Sequence, residues 1–228
     1  MQDKIIHLTG YPVDRIIRLP WGVDLTQFHP APSRLNLRDD LGWNDNKIII
    51  STRSFEPIYG INIFLRAAVS VIEKAPEARF LMLGDGSLRP EVEKFIIEQN
   101  MGQIIHLTGR VRHDLLPDYF NEAYLYVSSS YSDGTSVSLL EAMACELPVV
   151  VTDLAANREW ISQNINGWLV PVGDTQTLSS AMFEALEHMD KVRTMAKANL
   201  AVAREKADWN NNFTILLKAY ERAIGEDN

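Results

Sequence analysis

Short β-branched runs alternate with helix-like segments along most of the chain, and this alternation constrains the fold more than any other feature. The predicted strands are Lys47–Thr52, Arg79–Leu83, Gln103–Leu107, Tyr124–Ser128, Leu147–Thr152 and Gly167–Pro171. The clearest apolar stripe at helical spacing is formed by Ile61, Phe64, Leu65, Ala68 and Ile72. This repetition predicts an α/β fold, a Rossmann-like doubly wound parallel sheet with helices on both faces.

The two ends of the chain depart from this alternation. From Asp174 onward the spacing predicts mostly helix, closing with Trp209–Ile224. Residues 1–30 contain one predicted strand, Arg15–Leu19, followed by the segment PWGVDLTQFHP. The Pro and Gly residues of that segment are typical of a linker rather than of an element of its own.

Composition narrows the class of protein. With 228 residues, 46% of them hydrophobic, the chain can bury one large core. A net charge of −8 argues against a nucleic-acid partner, which would require a basic surface. The single cysteine, Cys145, excludes an intrachain disulfide and is typical of a reducing compartment. We find no apolar run long enough for a transmembrane segment and no signal peptide, which predicts a cytoplasmic location or peripheral attachment at the inner membrane face.

A sheet of this class binds ligands at the carboxyl ends of its strands. Arg53 directly follows the first predicted strand. A guanidinium there could clamp an anion, because it binds phosphate bidentately, or it could be a solvated arginine paired with Glu56. The sequence leaves both interpretations open.

The residues after two other predicted strands give weaker evidence for a functional site. The turn Gly84-Asp85-Gly86 is not a complete dinucleotide fingerprint and is better explained as a tight turn. His113 follows the third predicted strand and could be catalytic, although an isolated loop histidine is more often solvated. No cysteine or histidine cluster with metal-ligand spacing is present in the sequence.

A small polar loop, Ser129–Ser136, precedes the predicted helix Val137–Ala144. The free N–H groups and positive dipole of such a helix start can bind an anion, or the loop can simply cap the helix. Glu141 lies in this apolar helix, ~7–8 Å from its start. An unpaired buried carboxylate is costly, so Glu141 must reach the rim of the fold or have a partner. A nucleotide ribose beside a bound phosphate would supply that partner.

These residues together resemble a known family. Asp133 and Glu141, followed by AMACELPVV, resemble the Glu-seven residues-Glu signature of retaining GT-B glycosyltransferases of group 1 (family four). The family's other motifs are matched in order by LPWGVDLTQFHP, TRSFEPIYG, MLGDGSLR, HLTGRV, TDLAANREWI and NGWLVPVGD. The resemblance extends from about Arg15 to about Met189.

The resemblance implies a division of the chain into three parts. Residues 1–30 would be an interdomain strand and linker, and residues 31–190 a Rossmann-like domain that binds a nucleotide sugar. Residues 191–228 would be helices that pack on it or back toward an N-terminal domain missing from this chain. The partners would be a UDP- or GDP-sugar and an unknown acceptor hydroxyl, to which a glycosyl unit is transferred with retention, and this chain alone would be inactive.

The resemblance also implies roles for individual residues. Glu141 would bind the ribose hydroxyls, Asp133 would contact the transferred sugar and Arg53 would bind the diphosphate. The remaining donor-binding positions would be Gly134, Thr135 and Ser136 at the phosphate and sugar, Arg110 and Val111 at the base, and Tyr59. No cofactor and no metal are implied, because the sequence has no Asp-x-Asp motif, so Arg53 and the helix start would stabilise the leaving diphosphate.

The sequence departs from the family pattern at three places. Asp133 replaces a glutamate, Tyr59 stands at the position of a phosphate-binding lysine, and Ala155 and Ala156 replace small glycines. Two alternatives therefore stay open: a degenerate, non-catalytic domain kept for nucleotide-sugar binding or assembly, and a nicotinamide dehydrogenase. The incomplete glycine fingerprint counts against the dehydrogenase.

Overall fold

We describe the fold from a computed structural model of the chain. The structure describes residues 7–13, 16–17, 19 and 21–225. The strand predicted over Arg15–Leu19 falls partly outside this set, since Arg15 and Arg18 are not described. The described residues of that range, Ile16, Ile17 and Leu19, belong to no strand.

A parallel sheet of six strands forms the centre of the molecule, in the order β3-β2-β1-β4-β5-β6. The strands are β1 (Lys47–Ser51), β2 (Ala78–Leu83), β3 (Ile105–Gly109), β4 (Leu125–Ser128), β5 (Val149–Thr152) and β6 (Trp168–Val170). The doubly wound parallel sheet predicted from the sequence is therefore confirmed. The boundaries shift slightly; β5 starts after Pro148, whose nitrogen has no hydrogen to donate to a neighbouring strand.

Helices cover both faces of the sheet, as predicted. Their bounds are α1 (Leu37–Leu41), α2 (Ile61–Ile72), α3 (Arg89–Glu98), α4 (Leu116–Glu122), α5 (Val137–Ala144), α6 (Thr175–Glu187), α7 (Met189–Lys206) and α8 (Trp209–Gly225). Successive residues of β1 point to opposite faces, so Ile49 belongs to one core while Ile48 and Ile50 belong to the other. Among the described residues, no helix has the length and apolarity needed to cross a membrane.

The segment predicted to be a linker packs against the last helices. Val23 donates its amide hydrogen to Ala207 O (2.7 Å) and accepts from Trp209 N (3.0 Å). A Cβ at Gly22 would lie 2.8 Å from the Cα of Trp209, so a side chain there would force the two backbones apart. Phe28 is 1% exposed and belongs to the core beneath α5. Residues 22–28 thus contribute core contacts, while the predicted domain boundaries stay a prediction.

The strand order reverses between β1 and β4. The chain moves outward from β1 through β2 and β3, then returns to β4 and continues in the other direction through β5 and β6. At such a switch point the connections after the two strands diverge and leave a crevice at their carboxyl ends. The two loops approach closely at Gly60, where φ is +60° and a Cβ would lie 2.2 Å from Ser129 O. Only glycine fits this contact without a shift of the backbone.

Candidate functional site

Arg53 leaves β1 at this switch point, and its guanidinium binds residues that follow β4. Its Nε donates to Ser128 Oγ (3.1 Å), and its Nη2 donates to Ser136 Oγ (2.5 Å) and to the carboxylate of Asp133. The arginine side chain is only 11% exposed. Glu56, the alternative partner suggested by the sequence, instead accepts from the amide and the hydroxyl of Ser87, so the interpretation as an Arg53–Glu56 pair was wrong.

Tyr59 supports this guanidinium from one side. The Cζ of Arg53 lies 5.2 Å from the centre of the Tyr59 ring, which is a cation–π distance. Tyr59 ends the short 3-10 helix Pro57–Tyr59, and its carbonyl accepts from Ser129 Oγ (3.1 Å). Tyr59, which the resemblance aligns with a lysine, thus places an aromatic ring against Arg53.

The start of α5 reaches the same guanidinium. Ser136 is the N-cap residue, with extended backbone angles, and its Oγ accepts from Leu139 N (3.2 Å). The first amides of α5 have no intrahelical acceptor, and the helix dipole is positive here. Gly134 is exposed and Thr135 is half-buried just before the cap. An arginine and a helix N-terminus therefore converge on one point, which favours an anion.

Glu141 has a protein partner that sequence reasoning missed. Its Oε1 lies 2.8 Å from Nε2 of His113, although the glutamate is 3% exposed and His113 begins the short surface 3-10 helix His113–Leu115. Burial raises the pKa of the Glu141 carboxyl, and the hydrogen bond from His113 opposes that rise. No local sequence pattern predicts this contact, because 28 positions separate the two residues.

Cys145, one helical turn after Glu141, is not a reactive thiol. The thiol is buried, and burial together with the nearby Glu141 carboxylate raises the pKa of Cys145 to about 12. Among the described residues, no group of three or more His, Cys, Asp and Glu side chains is arranged to hold a metal ion.

Arg110 and Val111 directly follow β3. Gly109 has a φ of +76°, and it turns the chain away from the sheet before exposed Arg110. Val111 packs against the core on the α5 side, two positions before His113. The structure thus brings Arg53, Tyr59, Asp133 and Ser136 into one cluster, and it places the Arg110–Val111 segment beside the His113–Glu141 pair.

Residues 46–188 match the family described as Glycosyl transferases group 1. The chain belongs to this family. Alpha-D-kanosaminyltransferase of Streptomyces kanamyceticus is 24% identical over 199 residues, which cover 86% of this chain and 51% of that protein. The chain spans about half the length of the curated relatives it matches.

Solved glycosyltransferase structures share the fold. The Anabaena Alr3699/HepE complex with UDP and glucose superposes with a TM-score of 0.83 at 22% identity, covering 97% of this chain and 60% of the other. The C-terminal domain of the group 1 protein LpcC from Francisella tularensis superposes with a TM-score of 0.75 at 21% identity, covering 82% of this chain and 100% of the other. This chain therefore has the fold of a GT-B C-terminal domain. Membership of the group 1 glycosyl transferase family rules out the alternative of a nicotinamide dehydrogenase.

Proposed function

We propose that this chain is the donor-binding half of a retaining glycosyltransferase. It binds a nucleoside diphosphate sugar in the crevice between β1 and β4. An acceptor-binding domain completes the enzyme, and the glycosyl unit passes to an acceptor hydroxyl. One observation carries the proposal: a buried arginine and the N-terminus of α5 meet at Ser136 Oγ, 2.5 Å from Arg53 Nη2, at the strand-order switch point.

The diphosphate would bind Arg53 and the first turn of α5. Nε and Nη2 of Arg53 already have acceptors, whereas the part of the chain that the structure describes places none on Nη1. A phosphate oxygen on Nη1 therefore leaves the existing hydrogen bonds intact. When the bond to the anomeric carbon breaks, negative charge grows on the diphosphate, and these preorganised donors stabilise it. We propose that this charge stabilisation needs no metal ion.

Asp133 lies between the phosphate site and the transferred sugar. Its carboxylate bonds to Arg53 Nη2, and its side chain is 17% exposed. With one methylene fewer than glutamate, Asp133 remains close to the guanidinium while its other oxygen can accept from a sugar hydroxyl. We assign no covalent nucleophile to the reaction.

The nucleoside would lie toward His113. Oε1 of Glu141 accepts from His113, which leaves Oε2 for the ribose hydroxyls. The backbone of Arg110 and Val111 would contact the base, and Gly134 and Thr135 would approach the distal phosphate and the sugar.

Calorimetric titration tests the proposal directly. The Anabaena structure contains UDP, so UDP, UDP-glucose and GDP are the first ligands, with NAD as the comparison. Saturable binding of a nucleoside diphosphate, weakened by Arg53→Ala, would support the donor site. If none of the nucleotides binds, the alternative of a degenerate assembly domain is supported and the proposal fails.

A further inference from the structure

His113 connects the N-terminal segment 22–28 to the buried carboxylate of Glu141. Its ring packs edge-on against Phe28, with 5.2 Å between the ring centres and an interplanar angle of 61°. Its backbone carbonyl accepts from Gln27 Nε2 (3.2 Å). Phe28 is itself 1% exposed and lies 6.3 Å from the Phe120 ring. His113 is therefore an exposed side chain whose orientation is fixed by a rigid neighbour.

The orientation matters because only one ring nitrogen meets Glu141. The Nε2–Oε1 distance of 2.8 Å is a hydrogen-bond distance, and with the proton on Nε2 the imidazole donates to an ionised carboxylate. An isolated carboxylate at 3% exposure would favour the neutral form. A neutral carboxyl would have one oxygen occupied by its own proton and would be the poorer acceptor for hydroxyl groups.

The charged side chains next to His113 bond with one another and not with Glu141. Next to His113 in the chain, Asp114 pairs with Arg112 (2.7 Å), and Arg34 donates to the Asp114 carbonyl (3.2 Å). The side chains that segment 22–28 places on His113, Gln27 and Phe28, carry no charge. From α5, Glu141 is the carboxylate within hydrogen-bonding distance of the ring among the described residues.

We propose that His113 is a positioning residue for ribose recognition: it orients Glu141 and maintains its carboxylate as a hydrogen-bond acceptor, while Phe28 holds His113 in place. This inference rests on the proposed donor site, and it assigns to segment 22–28 an indirect part in nucleotide binding. His113 acts through Glu141 and needs no contact with the ligand.

The test measures UDP affinity against pH for the parent chain, His113→Ala, His113→Gln and the control His188→Ala. His188 is an exposed histidine at the junction of α6 and α7. We expect His113→Ala to weaken binding about fivefold at neutral pH and to move the acid-side loss of affinity to higher pH. His113→Gln retains a donor N–H and should restore most of the neutral-pH affinity, and His188→Ala should match the parent chain.

A double-mutant cycle separates positioning from general structural damage. In the Glu141→Gln background, His113→Ala should cause no further loss of UDP affinity, because the carboxylate it serves is gone. Equal losses in both backgrounds, or an unchanged pH profile in His113→Ala, would overturn the inference. Failure of the parent chain to bind UDP or GDP would instead overturn the proposed function, and this inference with it. Glu141→Gln binding as tightly as the parent chain would overturn the ribose role on which the inference depends.

Discussion

Two carboxylates, one before α5 and one within it, have basic partners of contrasting kinds. In the Arg53–Asp133 pair both side chains are largely buried, at 11% and 17% exposure. In the His113–Glu141 pair the histidine side chain is 62% exposed, whereas the glutamate side chain is 4% exposed. The first pair contains a guanidinium, and the second contains an imidazole ring at the surface.

This difference predicts two separate kinds of recognition. A guanidinium has five N–H donors, so Arg53 can hold a second anion without releasing the first. A buried carboxylate with one satisfied oxygen is suited instead to neutral hydroxyl groups. Variants of the first pair should therefore change the recognition of charge, and variants of the second should change the recognition of the ribose.

The largest expected effect is the absence of glycosyl transfer by this chain alone. In the proposed function each pair binds the donor, so the chain alone should bind a nucleotide sugar and transfer none of it. Orientation of two reactants can supply about 7–11 kcal/mol of a barrier, and the open crevice would not exclude water. The assay is product formation from UDP-glucose with a panel of acceptor hydroxyls. Turnover above about 1 s⁻¹, the low end for enzymes, would show that the second domain is dispensable.

Arg53→Ala should weaken binding of a nucleoside diphosphate by about 100-fold, or about 2.7 kcal/mol, and leave nucleoside binding nearly unchanged. The reason is that in the proposed site the guanidinium contacts the diphosphate and neither the base nor the ribose. Calorimetry with UDP and uridine measures both affinities. Arg38→Ala is the matched control, since Arg38 pairs with Glu122 at 2.7 Å, away from the cluster. Equal losses for UDP and uridine in Arg53→Ala would indicate a structural role.

Glu141→Gln should weaken UDP and uridine equally, by about tenfold. A hydrogen bond to a charged acceptor contributes roughly 1.5–3 kcal/mol, and both ligands carry the ribose. The same titrations measure the effect. A loss confined to UDP would place Glu141 at the diphosphate and remove the contrast between the two pairs.

The second pair should also affect how stability depends on pH. Burial raises the pKa of Glu141, so the folded chain binds its proton more tightly than the unfolded chain. Its favourable contribution is complete below the unfolded pKa of about 4.5 and is lost as pH rises through the folded pKa. Urea unfolding across this range should show the free energy of unfolding of the parent chain falling relative to that of Glu141→Gln.

Asp118→Asn is the control for this experiment, because its effect on the free energy of unfolding should change with pH in the opposite direction. The hydrogen bond from Arg34 lowers the pKa of Asp118, so its contribution is present above the unfolded pKa and is lost as pH falls through the folded pKa. The parent chain should therefore gain stability over Asp118→Asn as pH rises. A parallel pH dependence of the two variants would contradict the assignment of Glu141 as the group with the raised pKa.

The smallest expected effect is a gain in affinity for UDP. Asp133→Asn removes a negative charge beside the proposed phosphate site, while Ser128 and Ser136 still hold Arg53. We expect UDP to bind about threefold more tightly, or about 0.7 kcal/mol. The titration should be repeated at high salt, where the gain should shrink as charges are screened. A loss of UDP affinity would mean that Asp133 is needed to orient the guanidinium.

The sequence by itself determined the parallel sheet, the presence of helices on its faces and the family resemblance. The apolar stripe of α2 was predicted from its spacing alone, because burial on one face imposes a regular apolar spacing. Arg53 and Ser136 were also identifiable, since each follows or caps an element whose end is marked in the sequence. These features depend on neighbours in the chain, so local patterns record them.

Only the tertiary structure decided which side chains meet. Arg53 could have paired with Glu56, three positions away, but it binds Asp133, which is 80 positions away, because β1 and β4 are adjacent in the sheet. The partner of Glu141 and the core position of Phe28 could not be predicted from the sequence either, since His113 and Phe28 come from distant segments that the fold brings to α5. Ion pairs of this kind follow strand order and packing, which no local spacing encodes.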